Sequence, residues 1–195
     1  MTRKLAAIVA MATALAGCAS SYTLEGQKYA SKEELHRASE GLVVSALNTI
    51  SPLPSPLTQK KLVFAIPSEP TIRQENVSRV TQRNGSAPNA MLSEQIENIT
   101  KANYRSLRVF YDAVQKRGIY ASTQLREMPS MAVSLEPSSD TDVIYLTEPA
   151  PGTGQWFYAS QKHGRQLFAY DRSGVGTTSK VQAFMEAVQA QAIRD

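Results

Sequence analysis

The chain has a single cysteine, Cys18, among its 195 residues. Without a second thiol, no disulfide can form within the chain, so packing alone must hold the fold together. Only two histidines are present, His36 and His163, and neither has a neighbour at the spacing typical of metal ligands. The sequence therefore predicts no metal site and no cofactor other than a covalent group on Cys18.

Familiar catalytic motifs are also lacking. The chain contains no Gly-x-Ser-x-Gly or Ser-x-x-Lys segment that would present a serine nucleophile. No glycine-rich loop stands between a strand and a helix, where it could hold a phosphate group. Apart from the N-terminus, no apolar run approaches the 18 residues that a membrane-spanning helix requires. These features favour a soluble body with no recognisable active site.

The N-terminus carries the most specific signal. Arg3 and Lys4 precede an apolar run from Leu5 to Ala16, which is too short to cross a bilayer roughly 30 Å thick but is typical of a secretory signal peptide. The segment Leu15-Ala16-Gly17-Cys18 then resembles the lipobox of bacterial lipoproteins. The resemblance implies cleavage before Cys18 and covalent lipid on its thiol and new amino group. The alternative is an ordinary signal peptide that contains a cysteine by chance.

This interpretation divides the chain into a removed signal peptide (1–17), a lipidated polar tether (18–30) and one periplasmic globular domain (31–195). Ala19 follows the cysteine, and lipoproteins without aspartate there tend to reach the outer membrane. The resemblance therefore implies an outer-membrane anchor that faces the periplasm. Loss of Arg3 and Lys4 lowers the formal net charge from +4 to +2, which leaves no strong nucleic-acid footprint.

Periodicity predicts the elements of the domain. Ser31 and Glu34 form a capping box ahead of an amphipathic helix at 32–50, which the prolines of 51–57 end. The apolar run 61–66 predicts a buried strand, and the polar stretch 67–90 predicts a long loop. A helical period begins near Asn89 and ends at Gly118, which predicts one long helix or two shorter ones. Further strands are expected at 119–125, 131–135 and 142–147, then a hairpin (155–161 and 165–171) and a final helix capped by Ser179.

This element order predicts an α/β or α+β domain: a single mixed sheet of five or six strands, packed by the long central helix and by N- and C-terminal helices. The order of buried strand, long helix, strand and late hairpin resembles the small domain of curli-secretion-type and penicillin-binding-protein-activator lipoproteins. The likeness lies in element order only and supplies no site residues.

Two groups of side chains are candidates for partner binding. Lys101, Arg105 and Arg108 form a basic stripe on the long helix, which could meet anionic lipid, lipopolysaccharide phosphates or an acidic protein, or could simply be solvated. Trp156 and Tyr158 share one face of a predicted strand, with Phe157 on the other. One of these two faces belongs to the core, and the other is available to a helix or to a partner.

The leading hypothesis is a non-enzymatic, lipid-anchored envelope protein that binds or assembles a periplasmic or outer-membrane machine. The membrane and an envelope protein are the expected partners, nucleic acid is not, and a homo-oligomer is left open. Two rival classes are a cell-wall hydrolase with unrecognised catalytic residues and a glycan- or lipid-binding module that uses the aromatic strand.

Overall fold

The computed structural model describes residues 22–24, 27–130, 135–146, 155–174 and 176–195. The elements follow one another as β1 (Tyr22–Leu24), β2 (Gln27–Tyr29), α1 (Lys32–Asn48), β3 (Thr58–Pro67), α2 (Glu69–Asn84), α3 (Ala90–Arg117), β4 (Tyr120–Met128), β5 (Thr141–Leu146), β6 (Trp156–Ser160), β7 (Gly164–Phe168) and α4 (Thr177–Arg194).

The main sheet has five strands in the order β4-β3-β5-β6-β7. β3 is an interior strand, second from one edge, and runs parallel to both neighbours, β4 and β5, whereas β6 and β7 continue as an antiparallel meander. β3 contains the apolar run that the sequence marks as buried, with Leu62, Phe64 and Ile66 fully enclosed. The predicted α/β architecture with a mixed sheet is confirmed.

Helices α3 and α4 cover one face of this sheet. Phe64 of β3, Trp156 of β6 and Phe184 of α4 meet there with ring centroids 5.2–6.1 Å apart. α1 packs on the outer side of α3 and α4 through a second cluster that includes Ile50 and Val181. The domain core therefore consists of a sheet, a middle helix layer and one outer helix.

Local signals fix the ends of α1. The Ser31 hydroxyl accepts a hydrogen bond from the Glu34 amide (3.2 Å), and the Glu34 carboxylate accepts one from Ala30 (3.0 Å). At the other end, the Lys116 ammonium of α3 donates to the carbonyl of Leu47 at 2.6 Å. The Leu47 carbonyl also accepts from the Ile50 amide at 3.3 Å, so the cation from α3 adds a second hydrogen bond at the end of α1.

The prediction of a long loop at 67–90 is wrong, because most of these residues form α2. Ser68 caps the helix by accepting from the Thr71 amide, Pro70 lies in the first turn, and Gly85 ends it with φ 68°. Proline in the first turn costs a helix nothing, since that turn has no amide partner to lose. The same glycine and prolines that indicate a loop here mark the two ends of a helix.

The start of α4 and the expected tether also differ from prediction, and some predicted features lie outside the described residues. α4 begins at Thr177 after Gly176 with no side-chain cap, so Ser179 lies inside the helix rather than capping it. Residues 22–29 of the expected tether contain the β1–β2 hairpin. The signal peptide with Cys18, residues 131–134 of an expected strand and Thr147 lie outside the described residues.

Candidate functional site

A buried polar cluster lies at one edge of the main sheet. The Asp142 carboxylate is fully enclosed; one oxygen accepts from the Lys60 ammonium at 3.0 Å, and the other is 2.8 Å from the Tyr158 hydroxyl and 3.1 Å from that of Tyr120. The two hydroxyls are also hydrogen-bonded to each other. We call these four residues the Asp142 corner.

Sheet topology brings the four together from distant parts of the sequence. Lys60, Tyr120 and Asp142 lie near the starts of the parallel strands β3, β4 and β5, so they share one edge of the sheet. β6 runs the opposite way and pairs Tyr158 with Ile144, two residues after Asp142 and on the same face of β5. No local motif marks this cluster, since each strand contributes one residue.

Burial sets the protonation of the two phenols. It raises the pKa of Tyr120 and of Tyr158 well above the usual range, and the adjacent Asp142 carboxylate raises each pKa further. Both hydroxyls therefore stay neutral and act as donors. A neutral phenol is a poor nucleophile and a poor base, and each polar group of the Asp142 corner is hydrogen-bonded to another, so the cluster links four strands.

A polar contact fastens the end of α4 to the β6–β7 turn. The His163 imidazole lies 3.4 Å from one oxygen of Asp195, and the Lys162 ammonium donates to the carbonyl of Arg194 at 3.0 Å. The other Asp195 oxygen is buried and has no hydrogen-bond partner among the described residues. The negative charge of Asp195 adds to the raised pKa of Tyr120.

The aromatic strand does not offer a binding surface on the expected side. Trp156 and Tyr158 do share a face, as alternation predicts, but their exposed fractions are 3% and 2% because α3 and α4 cover them. Both side chains therefore belong to the core of the isolated chain, and their role in partner binding stays an untested prediction. Phe157, on the other face, is half-buried beneath the guanidinium of Arg165, 4.3 Å from its ring centre.

The basic stripe on α3 is paired with acids. Lys101 lies 3.1 Å from Glu97 one turn earlier, and Arg105 lies 2.9 Å from Glu40 of α1. Arg108 lies over the Tyr111 ring at 5.9 Å. Exposed pairs of this kind contribute little to stability, but they reduce the field that an anionic partner would sense.

The N-terminal half of α3 projects past the sheet. Tyr104 donates a hydrogen bond to Glu127, next to the last residue of β4, and is the first α3 side chain to pack on the main core. Residues 90–103 precede this point and form about 21 Å of helix at 1.5 Å per residue. The whole of α3, with 28 residues, is therefore longer than the strands that it covers.

α2 packs against this projecting half. Arg73 and Glu97 form an ion pair at 3.2 Å, and the Asn76 amide donates to the Thr100 hydroxyl at 3.1 Å. Thr100 is fully buried, as expected for a contact between closely packed helices. We call α2 together with residues 90–103 of α3 the helical arm.

An exposed, uncharged row runs along α3 at the base of this arm. Its members are Gln95, Ile99, Ala102 and Ser106, all exposed, with Ile99 at 45%. Their spacing of three and four leads directly into Phe110 and Ala113, which pack on α4. The row therefore extends the α3 face that packs against α4 beyond the first residue of α4. We call this row the α3 strip.

Among the open depressions in the described part of the molecule are two whose linings include no residue of the Asp142 corner. One, of about 450 Å³, lies along α2 at Glu69, Arg73 and Val77; the other, of about 380 Å³, lies between Arg117 and α4. The described residues contain no group of three acids, histidines or cysteines placed to hold a metal ion. Within the same residues, no helix is both long and apolar enough to cross a membrane.

Comparison with known proteins gives no relative. No protein-family model matches the chain, and neither the curated proteins nor the solved structures contain a match. Function must therefore be inferred from the residues themselves.

Of the residues that sequence reasoning selected, only Tyr158 belongs to the Asp142 corner, and in a different role. Lys60, Tyr120 and Asp142 were missed, as was the α3 strip. One available signal was Asp142 itself, an acid at the head of the apolar run Val143–Leu146. An acid that enters an apolar strand indicates a buried partner of opposite charge.

Proposed function

We propose that this chain is a lipid-anchored envelope protein that binds a protein partner and helps to assemble a periplasmic or outer-membrane machine, without being an enzyme itself. The lipobox-like segment that ends at Cys18 supports the anchor and the outer-membrane location. The α3 strip supports the binding role, and it is the observation on which the proposal depends.

The chemistry of the α3 strip suits a helix or an apolar segment of another protein. None of its four side chains is charged, and they repeat at the spacing of a helix–helix contact. On the same face, one and two turns further on, α3 already accepts α4. A partner helix could therefore extend the α4 packing onto the arm without repacking the core.

The Asp142 corner argues against a catalytic role for the polar groups it contains. The carboxylate already accepts hydrogen bonds at both oxygens, and neither of the two depressions described above is lined by a residue of the corner. The Asp142 carboxylate and the two tyrosine hydroxyls are hydrogen-bonded to one another.

Photo-crosslinking in intact cells tests the binding role. With p-benzoylphenylalanine in place of Ile99, we expect an adduct with one protein of defined mass. Val44 is the matched control, because it is also an exposed apolar residue on a helix, with an exposed fraction of 55%. Equal adducts at both positions, or adducts at 99 with only lipid or glycan, would contradict the proposal and in the second case favour a glycan- or lipid-binding module.

Two further measurements separate the other parts of the proposal. Metabolic labelling with a palmitate analogue tests the anchor, and undiminished incorporation into a Cys18→Ser variant would overturn it. Turnover of a cell-wall substrate by the purified protein, abolished by a single polar substitution, would show that the protein is an enzyme.

A further inference from the structure

The chain between the proposed anchor and the folded domain is short. Only residues 19–21 separate Cys18 from Tyr22, the first residue of β1. A fully extended chain advances at most about 3.5 Å per residue, so Tyr22 lies within about 14 Å of the lipidated cysteine. The β1–β2 hairpin must therefore lie near the membrane surface.

The hairpin in turn fixes which end of the domain faces the membrane. Tyr22 pairs with Tyr29, three residues before α1, and the hairpin packs against that helix. α1 runs parallel to α3, as shown by the Lys32–Glu94 pair near their starts and the Glu40–Arg105 pair further along. The starts of α1 and α3, and with them the α2–α3 turn, therefore lie at the same end as the anchor.

The α2–α3 turn has the chemistry of a membrane interface. Residues 84–91 carry no charge, and Met91 at their end has an exposed fraction of 54%. Arg79 and Arg83 are exposed on the last turns of α2, immediately before this segment. An uncharged turn with one exposed apolar side chain and two arginines on its α2 side fits the boundary between acyl chains and anionic headgroups; the first charged residue on its α3 side is the exposed acid Glu94.

We infer that the α2–α3 turn rests on the bilayer that holds the Cys18 lipid, with Met91 at the acyl boundary and Arg79 and Arg83 at the phosphates. This inference depends on the proposed anchor. α3 ends beside the start of β3, where Leu57 donates to the Ile119 carbonyl at 2.9 Å. The Asp142 corner and the β6–β7 turn therefore face away from the membrane, and the α3 strip lies between the two ends.

Fluorescence quenching in vesicles tests this orientation. The acylated full-length protein is placed in vesicles of phosphatidylethanolamine and phosphatidylglycerol (about 3:1) that contain phosphatidylethanolamine with a nitroxide headgroup. A bimane label is attached at Ser86→Cys in the α2–α3 turn or, as the control, at Gln161→Cys in the β6–β7 turn; both residues are exposed. We expect quenching at position 86 to exceed that at 161 by about two-fold or more, because only the first lies at the interface.

A second substitution and a thiol assay sharpen the result. Met91→Glu should reduce quenching at position 86 towards the value at 161, because a carboxylate is unfavourable at the acyl boundary. Equal quenching at 86 and 161, or stronger quenching at 161, would overturn the inferred orientation. The unsubstituted protein, whose single cysteine is Cys18, tests the anchor separately. If Cys18 carries the lipid, its thiol cannot react with maleimide. Maleimide uptake would refute the anchor and the orientation together, whereas no uptake with equal quenching would refute the orientation alone.

Discussion

The two halves of α3 lie in contrasting surroundings. The half from Tyr104 to Arg117 is enclosed by the sheet, α1 and α4, and it ends near the Asp142 corner, where the buried polar groups are paired. The half from Ala90 to Asn103 has α2 in place of the sheet and no α4 beside it, which leaves Ile99 open to solvent. One helix thus links a region built for stability to a region available for contacts.

The comparison predicts its largest effect at Asp142. Asp142→Ala leaves the Lys60 ammonium and the Tyr158 hydroxyl without their acceptor, and loss of one member of a buried pair costs about 3–5 kcal/mol of unfolding free energy. Denaturant unfolding followed by Trp156 fluorescence measures the loss. The control is Asp140→Ala, whose exposed carboxylate pairs with Lys61 at 3.6 Å and accepts from the Ser138 and Thr141 hydroxyls; its loss should cost much less because water replaces these contacts. Similar losses of unfolding free energy in both variants would show that the Asp142 corner contributes no more to stability than a surface ion pair.

Alkaline pH should weaken the same corner. The pKa values of Tyr120 and Tyr158 are raised in the folded protein, so these tyrosines lose their protons first in the unfolded chain, near pH 10. Stability is therefore fully present below pH 10 and falls above it, by about 3 kcal/mol at pH 11 for the two together. Unfolding curves at pH 9, 10 and 11 check this. In Tyr158→Phe, which has one titrating phenol fewer, an unchanged pH dependence would contradict the assignment.

A smaller and more local effect is expected in the helical arm. Asn76→Ala removes the donor to the fully buried Thr100 hydroxyl and should cost about 1–2 kcal/mol. Because α2 contacts mainly α3, hydrogen exchange should accelerate in α2 and in the projecting half of α3, while β3 and β5 keep their protection. Acceleration throughout the sheet would show that the arm and the core unfold as one unit.

The sequence is most informative where a structural signal is local. Ser31 with Glu34 predicts the start of α1, and Gly118 predicts the end of α3, because caps depend on neighbours within one turn. The apolar run of β3 predicts its interior position in the sheet, because a strand covered on both faces needs no polar side chains.

The parts that sequence reasoning missed depend on partners distant along the chain. α2 has few apolar residues because it needs only a narrow contact with α3, so its helical period is weak. Alternation places Trp156 and Tyr158 on one face but cannot say which face α3 and α4 will cover. The Asp142 corner draws one residue from each of four strands, and its existence depends on the strand order β4-β3-β5-β6.

The most direct test of the binding role of the α3 strip uses a variant that should lose the partner while its unfolding free energy hardly changes. Ile99→Glu and its matched control Val44→Glu both place a charge at an exposed helix position, so each should change the unfolding free energy by less than about 0.5 kcal/mol. The decisive measurement is partner recovery from intact envelopes by crosslinking, with the unfolding midpoint of each variant measured alongside. We predict that Ile99→Glu loses the partner and Val44→Glu retains it, at equal stability. Retention of the partner by Ile99→Glu, or loss by both variants, would contradict a binding role for the α3 strip.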